Sequence, residues 1–356
     1  MAWDATSRHQ HRRASSRYPS DMTDREWAVI APLLPPPKLG GRPRRTDLRA
    51  VMNAILYIAS CGCQWRMLPK DFPPRSTVQG YFYRWRDSRL WEAINHVVVM
   101  STRELEGREA SPTAGVIDSQ SVKTSESGGL AGYDAGKTIK GRKRHIVTDT
   151  LGLMLFVLVH GADVQDRDGA PALLKAIRHR FPWLRHIFAD GGYAGEKLRA
   201  ALHRQGDWTL EIIKRSDTAR GFEVLPRRWV VERTFAWLGR CRRLAKDWER
   251  TTASSTAWAL IASIRMMSRR LARYGFCNGP YCVKSLSDRH AAGFLLLSVV
   301  SRALPHHAVR QEATSPSMKR VPPSRALTAV PAALSLPASR RRDPRGVGRL
   351  SPTPNG

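Results

Sequence analysis

Acidic residues are scarce in this chain: its 356 residues hold 30 Asp and Glu against 59 Lys and Arg, a formal charge of +29. A protein so far from neutrality repels itself unless a polyanion offsets the charge, and for a soluble basic protein the usual polyanion is nucleic acid. Cysteine is scarce too. Cys61, Cys63, Cys241, Cys277 and Cys282 form an odd, scattered set without a C-x-x-C pair, which argues against a disulfide framework and a zinc site. Long apolar runs are missing: the longest, Leu151 to Val159, falls far short of the roughly 20 residues that cross a bilayer. No apolar segment follows the basic N-terminus as it would in a secretory signal. The expectation is a cytoplasmic protein with no membrane partner.

Two nucleotide and ion motifs are also lacking. Gly136-Lys137-Thr138 ends like a P-loop, but Ala131 stands where the first glycine belongs, so no nucleotide cofactor is expected. Asp166, Asp168 and Gly169 imitate part of a calcium loop, but Val164 and Lys175 occupy its first and twelfth ligand positions.

What remains is ordinary globular material, 42% hydrophobic and 25% charged, enough for two or three domains. Residues 1–21 read as a disordered leader, polar and basic without apolar periodicity. Residues 275–356 read as a disordered basic extension rich in Pro, Ser, Ala and Arg. They carry 12 Lys and Arg against 3 acids, so +20 of the +29 belongs to residues 1–274.

Residues 22–108 carry helical periodicity. Leu48, Val51, Ile55 and Ile58 share a face behind a capping Thr46, and Gly62 ends the run. A second helix after Ser76 places Val78, Phe82 and Trp85 inward and Gln79, Arg84 and Arg86 outward. With the Pro-rich turn 68–74 between them, the pair is compatible with helix-turn-helix DNA binding, and equally with a plain helical subdomain bearing a solvated basic face.

From about residue 109 to 274 the period changes. Ala114–Ile117 is a short apolar run ending in Asp118; His145–Thr150 and Leu153–Val159 read as a hairpin turning at Leu151-Gly152. A helix at Gly169–Arg180, a strand at His186–Ala189, a helix at Glu196–Arg204, a strand at Leu210–Lys214 and a long helical region from Arg228 follow. This order predicts an α/β domain, a mixed sheet with flanking helices.

Functional groups in open α/β sheets gather at the carboxyl ends of strands, and Asp118 and Asp190 each close an apolar run there, followed by Ser119 and by Gly191-Gly192. Glu232 lies on the helix beyond them, in one row with Arg228 and Arg240. Each acid alone has a structural reading as a turn residue or a surface pair. Together they form an oxygen-only set suited to two Mg²⁺ ions and phosphodiester displacement. The segment from Ser121 to Arg144, rich in glycine and carrying Lys140, Arg142, Lys143 and Arg144, reads as a mobile basic loop, either phosphate-binding or merely solvated.

IDSQSVKT at Asp118, GRKRHIVTDTLGL at 141–153, DVQDRDGA at 163–170, FADGGYAG at Asp190 and WVVERTFAWLGRCRRLAKDWER at Glu232 resemble the bacterial insertion-sequence DDE transposases. DREWAVIAPLLPP, GGRPRRTDLRAVMNAILYI and GCQWRMLP resemble the helical domain ahead of that core in one subgroup. The resemblance runs from Met22 to Tyr274, with 72 residues from Asp118 to Asp190 and 42 from there to Glu232.

It implies an RNase H-like catalytic core, with Asp118, Asp190 and Glu232 as catalytic metal ligands and Mg²⁺, or Mn²⁺ in its place, as cofactor. It also implies double-stranded DNA, both transposon ends and target, as partner, a homodimer or larger assembly on that DNA, and a bacterial, nucleoid-associated setting. Arg228 matches the family's arginine four residues before the glutamate. Gly239 stands where the family has a lysine and Leu225 where it has a tyrosine, so the lysine's DNA contact passes to Arg240, Arg243 or Lys246, or is absent. A nuclease that cuts without joining, a non-enzymatic DNA-binding protein and an inactive copy remain alternatives.

Overall fold

A Thr23/Glu26 capping box opens the first helix, α1 (Asp24–Ile30), satisfying two backbone N–H groups reciprocally. The computed structural model describes residues 17–37, 43–126, 128–206, 208–213 and 225–274. The expected leader up to residue 16, the extension from residue 275 and the strand end at Lys214 lie outside the described residues. Residues 17–21, also assigned to the leader, are packed: Tyr18 stacks on Phe72 at 5.1 Å and meets Tyr57 edge-on at 4.8 Å.

Helix α2 (Leu48–Cys61) buries the predicted face, but its cap is Asp47, not Thr46; Asp47 accepts from Arg49 N at 2.8 Å. It ends at Gly62, whose φ of 72° favours glycine. A Cβ there would sit 3.1 Å from the carbonyl carbon of Arg242, so a side chain would also wedge two segments apart. Helix α3 (Arg75–Asp87) starts behind Pro74, which puts Ser76 inside the first turn and leaves the end without a side-chain cap. Residues 62–74 separate the two helices. That is far longer than the three- or four-residue turn of a helix-turn-helix, so the motif is not formed. Helix α4 (Leu90–Leu105) completes the region.

The sheet comprises β1 (Ala114–Lys123), β2 (Gly132–Asp134), β3 (Ile139–Asp149), β4 (Met154–Gly161), β5 (His186–Ala189) and β6 (Thr209–Ile212). β3 is antiparallel to β1 on one edge and to β2 and β4 on the other; β1, β5 and β6 run parallel. Helices α5 (Asp166–Ile177) and α6 (Glu196–Gly206) connect the parallel strands, and α7 (Pro226–Leu238) and α8 (Thr252–Tyr274) follow. This is the predicted RNase H-like mixed sheet with flanking helices. No helix among the described residues is long and apolar enough to cross a membrane.

Helix α8 returns to the N-terminal helices, so both regions share one hydrophobic core. Trp258 stacks on Phe82 at 4.6 Å, and Trp65 meets Phe82 at 5.4 Å. Such ring pairs contribute about 0.5–1.5 kcal/mol each beyond burial. Asn95 donates to Met154 O at 2.9 Å, and Arg103 pairs with the fully buried Asp149, tying α4 to the β3–β4 hairpin.

The segment read as a mobile loop is largely sheet. β1 runs on through Lys123, β2 pairs with the start of β3, and Gly141 to Asp149 are all buried. Arg142, fully buried, donates to Asp247 at 3.1 Å and to the carbonyls of Leu130, Glu249 and Arg250 at 2.6, 2.7 and 3.0 Å. Arg144 donates to Leu244 O at 2.6 Å and Lys246 O at 3.2 Å; burial pulls its pKa down to about 10 against the opposing pull of Asp247. These cations hold the 244–250 segment to the sheet by saturating carbonyls that would otherwise be buried unpaired.

Candidate metal-binding acid site

The spacing of 72 residues between the two aspartates is the register of the sheet. β1 pairs with β5 as Ala114 with His186, Gly115 with Ile187 and Val116 with Phe188. The next rung on the same face therefore carries Asp118 and Asp190. Asp190 sits just past the end of β5, as expected, and caps a short turn by accepting from Gly192 N at 2.9 Å. Asp118 lies in mid-strand, because β1 keeps its pairing with β3 through Lys123. Sequence pattern placed that strand end five residues early because polar residues follow Asp118.

Electrostatically the site is tense. Burial first, then the charges of Asp190 and Asp166, push the Asp118 carboxyl up to about 7, although the Ser119 N–H at 2.6 Å and Lys137 favour its ionised form. Asp166, at the start of α5, is the acid that sequence reasoning passed over as half of a failed calcium loop. Burial works against its charge, but hydrogen bonds from Ser119 Oγ at 2.7 Å and Lys143 Nζ at 3.0 Å, with the charges of Lys143 and Lys137, hold its pKa below the usual value. A Cβ on Gly192 would lie 3.1 Å from Asp190 Oδ1 and 3.7 Å from Asp166 Oδ2, so the absent side chain leaves both carboxylates facing one space.

Behind the acids runs a chain of hydrogen-bonded rings. Tyr193 Oη lies 2.7 Å from His145 Nε2, His145 Nδ1 lies 3.4 Å from His160 Nε2, and His160 Nδ1 lies 2.9 Å from Gly161 O. The terminal carbonyl can only accept, which assigns His160 its proton at Nδ1 and His145 its proton at Nδ1, with Tyr193 donating to His145 Nε2. Burial and then His160 lower the His145 pKa to about 3; burial and the three aspartates raise Tyr193 well above its usual value.

Glu232 stands on α7, which packs across β1, β3 and β5. It is exposed and faces Arg228 at 3.7 Å, the expected i, i+4 pair. Among the described residues no three His, Cys, Asp or Glu side chains converge closely enough to hold a metal ion. Asp118, Asp190 and Asp166 are coupled; Glu232 is not joined to them.

The candidate DNA contacts divide sharply. Arg84, Lys140, Arg240 and Lys246 are exposed, Arg84 over the Tyr81 ring at 4.6 Å and Lys246 over Trp248 at 5.6 Å. Arg86 is half-buried, donating to Ser254 Oγ at 2.8 Å. Arg142, Lys143, Arg144 and Arg243 are buried, which corrects their reading as phosphate contacts. Lys143 is engaged by Asp166, Asp134 and Val164 O, and Arg243 by Glu249 at 2.5 Å and Cys63 O at 3.0 Å. Arg142, Lys143 and Arg144 are consecutive residues of β3, buried without alternation, so no strand period marked them as interior.

Residues 109–267 match the family model described as "Transposase DDE domain", and residues 22–95 the one described as "Putative transposase of IS4/5 family". Over 117 residues, 31% of this chain and 54% of the relative, the sequence is 38% identical to the "Putative transposase for insertion sequence element IS402" of Burkholderia cepacia. It is 29% identical over 115 residues, 30% of this chain and 74% of the relative, to the "Insertion element IS402 uncharacterized 16.2 kDa protein" of the same organism. A third relative, "Uncharacterized protein y4sN" of Sinorhizobium fredii, is 33% identical over 64 residues, 18% of this chain and 51% of its own. The chain thus spans about half the length of the first of these relatives. No solved structure matches.

Proposed function

From the premise that the chain belongs to the bacterial insertion-sequence DDE transposases, we propose that it binds the inverted-repeat ends of its element, cuts DNA there and joins the freed end to a target. The observation that carries this reading is the β1–β5 register, whose continuation brings Asp118 to the level of Asp190, beside Asp166; burial first, and then these acidic neighbours, push Asp118 up to about 7. A carboxylate so disfavoured calls for a cation, and an all-oxygen donor set suits a hard divalent one, Mg²⁺ or Mn²⁺. Asp118 and Asp190 would hold it, and Glu232 would supply the family's third carboxylate. Two such ions, when bound, stabilise the attacking and leaving oxygens of an in-line displacement.

The chain's own residues do the rest. Ser119 N–H fixes one oxygen of Asp118 and Gly192 N–H one oxygen of Asp190, so each keeps the other for the cation. Lys137, 3.2 Å from Ser119 O, stands at the same edge to receive a phosphate oxygen. Hydrolysis of the phosphodiester leaves a 3′-hydroxyl. That hydroxyl then attacks a target phosphodiester, forming one P–O bond and releasing a target 3′-hydroxyl. The exposed Arg84, Lys140, Arg240 and Lys246 and the half-buried Arg86 and Arg228 bind the backbone in the helical and catalytic regions. Because two ends are joined, the working form is a homodimer or larger, acting in the bacterial cytoplasm on nucleoid DNA.

The test is a labelled duplex carrying the repeats that flank the gene, incubated with full-length protein in Mg²⁺ or EDTA, beside Asp190→Ala. Metal-dependent nicking at the repeat boundary that the variant lacks is expected, as is a Mg²⁺-induced rise in Tm that the variant also lacks. Binding without nicking overturns the enzyme; nicking without joining of pre-cut ends leaves a nuclease.

A further inference from the structure

A groove of about 1410 Å³ lies away from the acid site, between α7, α8, the C-terminal end of α4 and the β3–β4 turn. It exceeds the roughly 300–1,000 Å³ of small-molecule sites, so a macromolecular occupant fits it better. Six arginines line it: Arg233, Arg240, Arg265, Arg269, Arg270 and Arg273. Glu106 is the one acid among the residues lining it, paired with Arg270 at 2.7 Å. Two of the guanidiniums keep a buried donor without a hydrogen-bond partner, Nε of Arg233 and Nε of Arg265.

The wall on α7 is aromatic as well as basic. Trp229, Arg233 and Trp237 succeed one another along one face of the helix, about a quarter turn from Glu232, and Arg240 follows two residues past its end. Trp229 is 45% exposed although it is an indole, and Arg233 lies 4.6 Å from the centre of the Trp237 ring. A basic track with aromatic faces set along it is the arrangement that binds unpaired nucleic acid, in which backbone phosphates meet the cations and bases stack on the rings. A duplex hides its base faces and leaves an exposed indole unused.

We infer that this groove holds a single DNA strand, its phosphates on the arginines and a base on Trp229. Charge excludes the nearer alternatives. A second copy of this chain is itself strongly basic, and residues 275–356, which follow α8 directly, carry 12 Lys and Arg against 3 acids. The inference rests on the reading that the chain acts on DNA, since a strand end freed by cutting beside Glu232 can fray from its complement and enter the groove.

The experiment is fluorescence anisotropy of a labelled single-stranded oligonucleotide titrated with full-length protein in EDTA at several salt concentrations, so that no chemistry intervenes. The Arg240→Ala/Arg273→Ala protein is expected to lose affinity at least tenfold and to flatten the slope of log K against log salt by about 1.4, two phosphates at about 0.7 each. Trp229→Ala is expected to lose roughly five- to hundredfold, with Trp229→Phe recovering most of it. Equal Tm values for variants and parent establish that all are folded; a variant that fails this check is replaced by Arg240→Gln/Arg273→Gln. Single-strand affinity unchanged in folded variants overturns the inference, and so does a duplex whose affinity falls in Trp229→Ala as much as the single strand's does. Groove-dependent strand binding without nicking at the repeats defeats the proposed function alone, and nicking with an indifferent groove defeats this inference alone.

Discussion

In the helical region, α1 to α4, the core is apolar and aromatic and the cations stay outside. Among the described residues only Arg103, at the junction with the sheet, is a buried cation there. Across the sheet the arrangement is reversed: Arg142, Lys143 and Arg144 run consecutively along β3 inside the protein, and Arg243 joins them. Both regions draw on the same basic composition. A helix offers its basic residues an outward face, whereas a central strand covered on both sides offers none, so its cations are retained only with carbonyls and carboxylates arranged around them. The positive charge therefore divides into a part open to solvent and a part that holds the fold, and burial separates the two; under the proposed function the open part is what would meet DNA.

The largest test of that division is Arg142→Ala. It removes a fully buried guanidinium from Asp247 and three carbonyls and strands the Asp247 charge. The expected loss is about 3–5 kcal/mol, read from the urea midpoint of the full chain. Lys140→Ala, two residues earlier on the same strand but exposed, is expected to change stability by less than about 0.5 kcal/mol. Equal losses for the two would erase the distinction.

A second contrast concerns neutral bases. His96, packed edge-on against Phe181 at 4.8 Å, has its pKa lowered to about 4 by burial and then by Arg180. The unfolded chain takes up this proton near 6.5 and the folded one only near 4. Stability is thus unaffected by this group above about pH 6.5, falls as pH drops from there to about 4, and levels off below, with about 3 kcal/mol lost at most. His96→Gln should flatten that part of the pH profile of the urea midpoint. His145, lowered to about 3 beneath the acid site, adds to the loss over the same range and carries it on to about pH 3. An unchanged profile in His96→Gln would place the acid sensitivity in the sheet alone.

How far the chain could be read beforehand follows the same divide. Helix faces were legible because a period of 3.6 separates inside from outside: Val78, Phe82 and Trp85 are buried as the spacing predicts. The two aspartates stood out in the sequence because each follows an apolar run; the run marks the end of β5 at Asp190 but only the middle of β1 at Asp118. The caps slipped by one residue at Asp47 and by two at Pro74, since Thr46 and Asp47, like Pro74 and Ser76, are both possible start signals until packing chooses between them. The strand extensions from Asp118 to Lys123 and back to Ile139 were hidden by lysines and arginines that look like loop residues. Asp166 was hidden because its partners, Ser119 and Lys143, are 47 and 23 residues away in sequence. No local pattern carries that information.

Smaller effects sharpen the picture on the helical side. Thr23→Ala removes the side-chain acceptor for Glu26 N, 3.2 Å away, and half of the capping box. About 1 kcal/mol should be lost, visible as a lower Tm without any change in DNA affinity.

Arg84→Ala reverses that pattern and is the smallest in stability. The guanidinium is exposed and its one ring contact, to Tyr81, is at the surface, so unfolding should shift by no more than about 0.5 kcal/mol. If this side chain meets one phosphate, the slope of log K against log salt on duplex DNA flattens by about 0.9, and affinity falls evenly across sequences. The buried Arg142 supplies the control by charge: Arg142→Ala removes one positive charge as well, and wherever enough of it remains folded its slope should match the parent's. A flattening in both would mean that net charge and not the placement of each cation governs DNA binding, and the division between surface and interior cations would then describe stability alone.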